Sequence, residues 1–351
     1  MNSMSTARRR GRLIASIAAP IAAIALALSG CSSSGPAPTD SAGQALTDVT
    51  FLLNVPATGE HTPFFYGLKE GIFAKHGINL KIQDGAGSTK TIQAVGAGQA
   101  EFGWADTGLL MANINKGVPV KSLGVYLQQS PAAVIVYKDG PIQTLADLAG
   151  KKIAVSAGDT PTTLFPLILQ GAGVDVNSVT QQNLDAAGKI GAMVSGQVDG
   201  LLGFSTDQGP TVAAKTGKDV SYLYYRDSGS SWYANGLLAN NSIISSNPAL
   251  VQEMVDAVSD SFAAAVANPD AAATEAQAMD PAFQSVDVVK DQWNHVLDFL
   301  HTPRTQGKAP GVDDPADWTD TINTLVKVGL LDHAGAVTDY YDGDFAANIG
   351  K

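Results

Sequence analysis

Short apolar runs alternate with amphipathic stretches between residues 47 and 240. The runs at residues 49–53, 78–82 and 132–137 are followed closely by Asn or by Asp-Gly, which is typical of strands that end in turns. The stretches at residues 63–75 and 89–97 space their apolar residues as one face of a helix does. This alternation predicts sheets whose strands are mostly parallel and are covered by helices.

The same pattern continues along the chain and changes after Asn240. Further strands are predicted at residues 101–105, 120–126, 153–156, 198–202 and 220–224 and near Val179, and further helices at residues 107–115, 160–170, 185–195 and 207–216. After Asn240 only helical patterns follow, beginning with Asn247-Pro248, a cap residue followed by Pro at the first helical position. We expect this helical tail to pack against one of the sheets.

The N-terminal residues have the pattern of a secretory signal peptide. Four arginines within residues 8–12 precede an apolar run at residues 13–28, which is followed by Leu-Ser-Gly-Cys ending at Cys31. As a helix, that run would rise only about 24 Å, less than the roughly 30 Å hydrocarbon core that a membrane anchor must cross. Leu-Ser-Gly-Cys resembles the lipobox of bacterial lipoproteins, and Cys31 is the only cysteine. We expect a lipoprotein signal peptide at residues 1–30, export, and a lipid on Cys31 at the extracytoplasmic face of the membrane.

Composition supports a soluble body behind this anchor. Residues 31–46 are mainly Ser, Gly, Pro, Ala and Thr, which predicts a flexible tether. Without the four arginines of the signal peptide the net charge is −15, and such an acidic body is repelled by nucleic acid. The remaining length favours two domains.

Two segments whose starts lie 98 residues apart carry nearly the same pattern. Residues 98–106 begin Gly-Gln-Ala-Glu and residues 196–207 begin Gly-Gln-Val-Asp; an apolar strand, an aromatic residue and an Asp follow in both. Ligands of open α/β sheets lie beyond the carboxyl ends of the strands. We therefore expect Trp104 and Asp106 to face Phe204 and Asp207 across one ligand. A chance similarity in this Gly-rich chain would still leave both segments as strand ends.

Residues 61–78 resemble the opening of the solute-binding proteins of ABC importers for nitrate, sulfonates, taurine and thiamine pyrimidine precursors (NMT1-like and SsuA-like). They include a Gly-Ile-Phe phrase at residues 71–73 and Gly77. The resemblance continues through residues 98–103, 147–152 and 247–251, and so covers essentially the whole chain after the tether. It implies a type II periplasmic-binding-protein-like α/β fold. In that fold two lobes, each a mostly parallel sheet flanked by helices, are joined by two crossing strands.

The resemblance also implies the domain boundaries, the mechanism and the partners. We expect lobe 1 to comprise residues 47–131 and 232–351 and lobe 2 to comprise residues 132–231. A small molecule would bind on the first lobe, and closure about strands near residues 130–137 and 222–237 would present both lobes to an ABC permease, whose ATPase drives import. We expect a monomer without cofactor, metal or nucleic-acid partner.

Two classes of ligand fit the sequence. His61, in the loop after the first strand, resembles the histidine of the branch that binds hydroxymethylpyrimidine, although that branch usually has a Trp near Val55. Sulfonate, taurine or nitrate would instead use backbone amides and hydroxyls such as those of residues 85–89. Because Asp106 and Asp207 would repel an anion, we favour a planar nitrogen-containing molecule, such as a pyrimidine precursor of thiamine.

The candidate ligand residues combine aromatic rings for stacking with polar groups at strand ends. They are His61, Phe64, Phe65, Trp104, Asp106, Thr107, Gln129, Ser156, Asp159, Thr160, Phe204, Asp207, Trp232, Tyr233 and Asn235. Each has a structural alternative: the aromatic residues fit a core, and Asp106 fits a helix N-cap. Trp293 and Trp318 in the tail are expected to serve packing.

The sequence favours binding over catalysis. It has no Gly-x-Ser-x-Gly, His-Glu-x-x-His, Gly-x-Gly-x-x-Gly or Walker motif, and its five histidines do not have the spacing of metal ligands. Relatives of this fold in thiamine synthesis are enzymes, but they are not exported lipoproteins. We expect no enzymatic activity; a structural protein of the cell envelope is the remaining alternative.

Overall fold

A computed structural model describes Gly43 and residues 45–351 of the chain. The predicted signal peptide, the lipidation of Cys31 and nearly all of the predicted tether lie outside the described residues. Within the described part, no helix combines the length and apolarity needed to cross a bilayer.

The strands form two five-stranded sheets. In chain order they are β1 (Thr47–Leu52), β2 (Ile78–Gln83), β3 (Phe102–Asp106), β4 (Val120–Val125), β5 (Ala132–Tyr137), β6 (Lys152–Val155), β7 (Thr180–Asn183), β8 (Gly200–Phe204), β9 (Val220–Tyr224) and β10 (Asn235–Asn240). The first sheet has the order β2-β1-β3-β10-β4 and the second the order β7-β6-β8-β5-β9.

Each sheet contains one strand that runs against the other four. Strand β10 is antiparallel to both β3 and β4, and β5 is antiparallel to both β8 and β9, whereas the β1–β2, β1–β3, β6–β7 and β6–β8 pairs are parallel. The two reversed strands are the ones that follow a passage from one sheet to the other, at residues 126–131 and 225–234. The predicted boundaries after residues 131 and 231 fall in or at the end of these passages and stay a prediction.

Helices occupy the predicted positions within about two residues, the usual uncertainty of helix ends. They are α1 (Thr62–Lys69), α2 (Ile72–Lys75), α3 (Ser88–Gly96), α4 (Thr107–Asn115), α5 (Thr160–Gly171), α6 (Ala186–Val194), α7 (Gln208–Thr216), α8 (Asn241–Ser246), α9 (Pro248–Ala267), α10 (Pro269–Met279), α11 (Val286–Leu297), α12 (Pro315–Lys327), α13 (Val337–Tyr340) and α14 (Gly343–Ala346). One predicted helix, at residues 63–75, is divided. Gly71 adopts φ +67°, which a continuous helix does not contain.

The helical tail packs against the first sheet, as predicted, where α13 and α14 contact β4, and it also contacts the second lobe. Helix α9 packs against α1 beside the first sheet, but α11 also contacts α7 of the second. Trp318 and Leu325 of α12 share a core with Phe165 of α5 and with Val125 of β4. This arrangement places residues of the tail beside the cleft between the two sheets.

Candidate ligand-binding site

A cavity of about 770 Å³ lies between loops that follow strands of the two sheets. Its wall includes residues 54–58 after β1, Asp106 at the end of β3, residues 157–160 after β6 and Phe204 at the end of β8. The cavity thus lies beyond the carboxyl ends of parallel strands, where open α/β sheets bind their ligands. Its volume falls within the range of about 300–1,000 Å³ that is usual for sites of small molecules.

Six of the fifteen candidate residues line this cavity: Asp106, Asp159, Thr160, Phe204, Asp207 and Asn235. The near-repeat explains part of this convergence. Strands β3 and β8 hold corresponding central places in their sheets, each next to the strand that crosses over. Their carboxyl ends therefore bring Asp106 and Asp207 to the same cavity. The role of these residues in ligand binding stays a prediction.

Three aromatic candidates lie in the core of the first lobe and do not line the cavity. Phe64 and Trp104 are fully buried, with ring centroids 5.0 Å apart, and each also packs against Phe262 of α9. Phe65 packs against Phe283 at 5.0 Å. The expectation that they contact ligand directly is corrected. Helix α1 turns these rings towards α9 and the tail, and Trp104 lies two residues before the end of its strand.

Three polar candidates, Thr107, Ser156 and His61, are engaged in hydrogen bonds within the protein and do not line the cavity. The Thr107 hydroxyl donates to the carbonyl of Ala234 at 2.5 Å, and the Ser156 hydroxyl donates to that of Leu184 at 2.8 Å. His61 is fully buried behind the loop that follows β1. These side chains shape the backbone of the cavity wall rather than its surface.

Gln129, Trp232 and Tyr233 line a different cavity, of about 410 Å³. All three lie in the passages between the sheets, and the Gln129 amide donates to the carbonyl of His301 at 2.6 Å. Tyr233 packs edge-on against Trp318 of α12 at 5.4 Å. Their assignment to the ligand cavity is corrected. Residues before β10 pack against the helical tail, whose position the sequence pattern did not predict.

Glu60 is the principal cavity residue that was not among the candidates. Its carboxylate accepts hydrogen bonds from Trp104 Nε1 at 3.0 Å and from Asn54 Nδ2 at 3.2 Å. It also accepts from Asn235 Nδ2, at 2.9 and 3.1 Å. Burial raises the pKa of Glu60, but the contact with His61 Nε2 at 3.3 Å and the hydrogen bonds from Trp104 and Asn54 outweigh it and hold the pKa below its ordinary value. Its position beside His61, in the loop after a strand, is the signal that could have identified it.

His61 orients the loop that carries Glu60. Its Nδ1 accepts a hydrogen bond from the amide of Thr58 at 3.0 Å, and its Nε2 lies 2.9 Å from Asn54 Oδ1. These partners fit the neutral tautomer with the proton on Nε2, which donates to Asn54. Asn54 can then direct its amide group to Glu60. The histidine therefore acts on the cavity through Asn54 and Glu60.

Asp106 connects the two lobes directly. Its Oδ1 accepts a hydrogen bond from the amide of Leu109, as the N-cap of α4, and another from the hydroxyl of Thr160 at the start of α5, at 3.1 Å. Its Oδ2 is buried and has no hydrogen-bond partner among the described residues. Burial raises the pKa of Asp106 to about 6.

Carboxylates surround the cavity at the starts of most nearby helices. Asp106, Asp159 and Asp185 cap α4, α5 and α6, and Asp207 directly precedes α7. Burial raises the pKa of Asp207 to about 6 as well. Only Asp159 of the three aspartates in the wall is close to a cation, Lys189 at 3.6 Å, within the described residues. Helix α3 differs, because it begins after Gly87 without a side-chain cap.

The tail supplies a second link between the lobes through the fully buried Gln292 of α11. Its Oε1 accepts from the amide of Gly59 at 2.8 Å, and its Nε2 donates to Asp207 Oδ1 at 3.2 Å. One side chain therefore joins the two walls of the cavity.

Within the described range, no group of three or more His, Cys, Asp or Glu side chains has the geometry of a metal site.

Similarity to known proteins agrees with this geometry. The family model described as NMT1/THI5 like matches residues 58–272. The chain belongs to the NMT1/THI5-like family. The family resemblance inferred from residues 61–78 and the later motifs is thereby confirmed.

Named relatives of this NMT1/THI5-like protein include two binding proteins. The chain is 24% identical over 317 residues to the riboflavin-binding protein RibY of Chloroflexus aurantiacus, a match that covers 88% of this chain and 89% of RibY. It is 23% identical over 300 residues to the formylaminopyrimidine-binding protein of Halalkalibacterium halodurans, covering 82% and 87%. A shorter match, 29% over 130 residues and 37% of this chain, is to a pyrimidine phosphate synthase of Legionella pneumophila, an enzyme.

Solved structures confirm the two-lobed α/β fold. The ligand-binding component of an ABC-type import system from Staphylococcus aureus superposes with a TM-score of 0.67 at 12% identity, covering 87% of this chain and 99% of that one. The aliphatic sulphonate-binding protein SsuA of Escherichia coli superposes with a TM-score of 0.65 at 15% identity, covering 83% and 91%.

Proposed function

We propose that this protein is the extracytoplasmic solute-binding component of an ABC importer and captures a planar nitrogen-containing molecule in the cavity between its lobes. The single observation that carries the proposal is the composition of the cavity wall. Glu60, Asp106 and Asp207 project from both lobes onto one cavity of about 770 Å³. Carboxylates accept hydrogen bonds and attract positive charge, so they suit amino groups and ring N–H groups of a ligand.

The relatives support this class of ligand. RibY and the formylaminopyrimidine-binding protein are named for planar nitrogen heterocycles. Phe204 in the wall of the second lobe offers a ring for stacking. Asn235, which donates to Glu60, fixes the carboxylate in place, and such support reduces the entropy lost when a ligand binds.

An anionic ligand is the second candidate, and one observation favours it. Gly87 leaves the first turn of α3 without a side-chain cap, and Ser88, Thr89 and Lys90 of this turn line the cavity. Free amides at a helix start attract anions. SsuA, a structural neighbour, is named for sulphonates. The four carboxylates at the remaining helix starts and Glu60 weigh against this alternative.

We propose that the protein binds its ligand without changing it. Both ring nitrogens of His61 are hydrogen-bonded, one to the amide of Thr58 and one to Asn54, so the imidazole beside the cavity has a structural role. Capture followed by lobe closure would present the loaded protein to a permease. The proposed lipid on Cys31 would keep capture within reach of that permease.

A ligand panel with matched variants tests this function. Purified mature protein is heated with riboflavin, hydroxymethylpyrimidine, formylaminopyrimidine, methanesulfonate, taurine or nitrate. A true ligand at a hundred times its dissociation constant stabilises the fold by about 2.7 kcal/mol. We expect a shift in Tm with at least one heterocycle, lost in Glu60→Gln and kept in Glu253→Gln, which changes an exposed carboxylate paired with His76. A response to anions alone would replace the proposal by its alternative, and no response to any compound would contradict it.

A further inference from the structure

Three properties of Asp106 bear on which ligand charge the cavity accepts. Asp106 lines the cavity, it is only 4% exposed, and no cation lies within ion-pair distance of it among the described residues. The other cavity carboxylates differ from it. Asp159 is paired with Lys189, and Glu60 accepts from three side-chain donors. Asp207 is only partly buried and accepts from Gln292.

The position of Asp106 matters as much as its charge. Its Oδ1 is bonded to the amide of Leu109 in the first turn of α4 and to the hydroxyl of Thr160 in the first turn of α5. Helices α4 and α5 have nine and twelve residues and belong to different lobes. Two helix starts that meet at one point make a strong attraction for negative charge. In this protein the negative charge already there belongs to the chain itself: Asp106 caps α4, and Asp159, which is paired with Lys189, caps α5.

We propose that Asp106 determines the charge specificity of the cavity, because its carboxylate fills the space between the first turns of α4 and α5 where an anionic group of a ligand would otherwise bind. The inference rests on the proposed function, since it concerns the ligand cavity. It adds a mechanism by which anions are rejected: the space is occupied and the occupant has the same charge. The Oδ2 of Asp106 is also buried and has no hydrogen-bond partner among the described residues, so no donor there neutralises the carboxylate.

Substitution of Asp106 should therefore create anion binding. Asp106→Gly removes both the charge and the volume, and Gly is nearly as good as Asp at an N-cap. Asp106→Asn removes the charge and keeps the volume. We expect methanesulfonate to bind the Gly variant at least about tenfold more tightly than it binds the wild type, with the Asn variant in between. Isothermal titration calorimetry and the shift in Tm measure this order.

Asp314→Gly is the matched control, because Asp314 caps α12 through the amide of Ala316 and does not line the cavity. It reproduces the loss of one capping carboxylate and reports any general effect of the salt on stability. We expect it to respond to methanesulfonate as the wild type does. An equal gain in the control would overturn the proposal.

Further outcomes separate this inference from the proposed function. If the wild type binds methanesulfonate as tightly as Asp106→Gly, Asp106 does not exclude anions and the inference is wrong. A folded Gly variant that gains no anion binding also contradicts it. If the Gly variant does not fold, a folded Asp106→Asn variant without any gain contradicts it equally. Failure of the wild type to bind any heterocycle would contradict the proposed function alone, because the anion titrations compare variants without using a heterocycle.

Discussion

Gln292 accepts a hydrogen bond from the amide of Gly59 at 2.8 Å, although the two residues are 233 positions apart. The same Gln292 side chain donates to Asp207 of the second lobe. One residue of the tail thus joins the loop that carries Glu60 to the opposite wall of the cavity. A ligand that moves either wall is coupled to α11 through this side chain.

Replacement of Gln292 should weaken both the fold and the contact between the lobes. Gln292→Met keeps the volume but leaves the Gly59 amide and Asp207 without their buried partner, which costs about 1–3 kcal/mol for each unsatisfied group. We expect a lower Tm, weaker ligand binding and a larger radius of gyration by small-angle X-ray scattering. Gln252→Met, on α9 and away from the cavity, is the control. An unchanged radius and affinity would show that closure does not depend on this link.

Gly59 should tolerate no side chain. A Cβ placed on it would lie 2.2 Å from the Cβ of Gln292 and 2.9 Å from the amide nitrogen of Trp293, so α11 would have to move. We expect Gly59→Ala to lower the free energy of unfolding by about 1–3 kcal/mol, measured by urea titration. Gly191→Ala on α6 meets nothing within 4 Å and should be neutral or stabilising by about 0.5–1 kcal/mol. Equal effects of the two changes would contradict the close approach of α11.

The indole of Trp104 should matter for its N–H group as well as its volume. Trp104→Phe keeps an aromatic ring beside Phe262 but removes the donor to Glu60, with a cost of about 1.5–3 kcal/mol for a bond to a charged group. We expect weaker ligand binding in addition to lower stability. The comparison is Trp293→Phe, whose buried Nε1 has no hydrogen-bond partner within the described chain. If both variants bind ligand equally well, Trp104 does not position Glu60.

Asp106 and Asp207 should contribute to the free energy of unfolding at low pH, and this contribution should be lost as the pH rises from about 4 to 6. Burial raises the pKa of both from 3.8 to about 6, so between these values the folded protein binds more protons than the unfolded chain. The contribution is present below pH 4 and is lost as the pH approaches 6, by at most about 3 kcal/mol for each group.

The titratable groups that face these two carboxylates are Asp159 for Asp106, and Glu60, His61 and Lys189 for Asp207. Urea titrations at several pH values, compared between the wild type and Asp106→Asn, isolate one contribution from the others. We expect the variant to lose less stability between pH 4 and 6 and to be the more stable protein at pH 7. Parallel pH curves for the two proteins would show that Asp106 is already ionised at pH 4.

Much of the fold could be predicted from local patterns. The strands at residues 132–137 and 220–224 and the helix at Thr107–Asn115 have the predicted limits, because alternation, helical spacing and turn residues act over short distances. The near-repeat located two strand ends whose acidic residues, Asp106 and Asp207, face the same cavity.

The contacts of the tail and the direction of the reversed strands β5 and β10 could be seen only in the structure. Nothing in the pattern of residues 283–331 indicates that α11 and α12 reach the second lobe, because an amphipathic helix specifies that one face is buried and not against what. The same limit explains the wrong assignment of Trp232 and Tyr233. Their apolar surface required burial, and the tail provided it.

The sequence by itself determined the strands and helices, the family, and the strand ends at which polar groups would meet. Tertiary structure decided which side chains face the cavity. It turned Phe64 and Trp104 into the core, brought Glu60 to the wall and supplied Gln292 from α11. The reason is physical: local patterns follow from the backbone geometry of neighbouring residues, whereas a binding site depends on contacts between segments far apart in the chain, and these are fixed only when the lobes and the tail pack together.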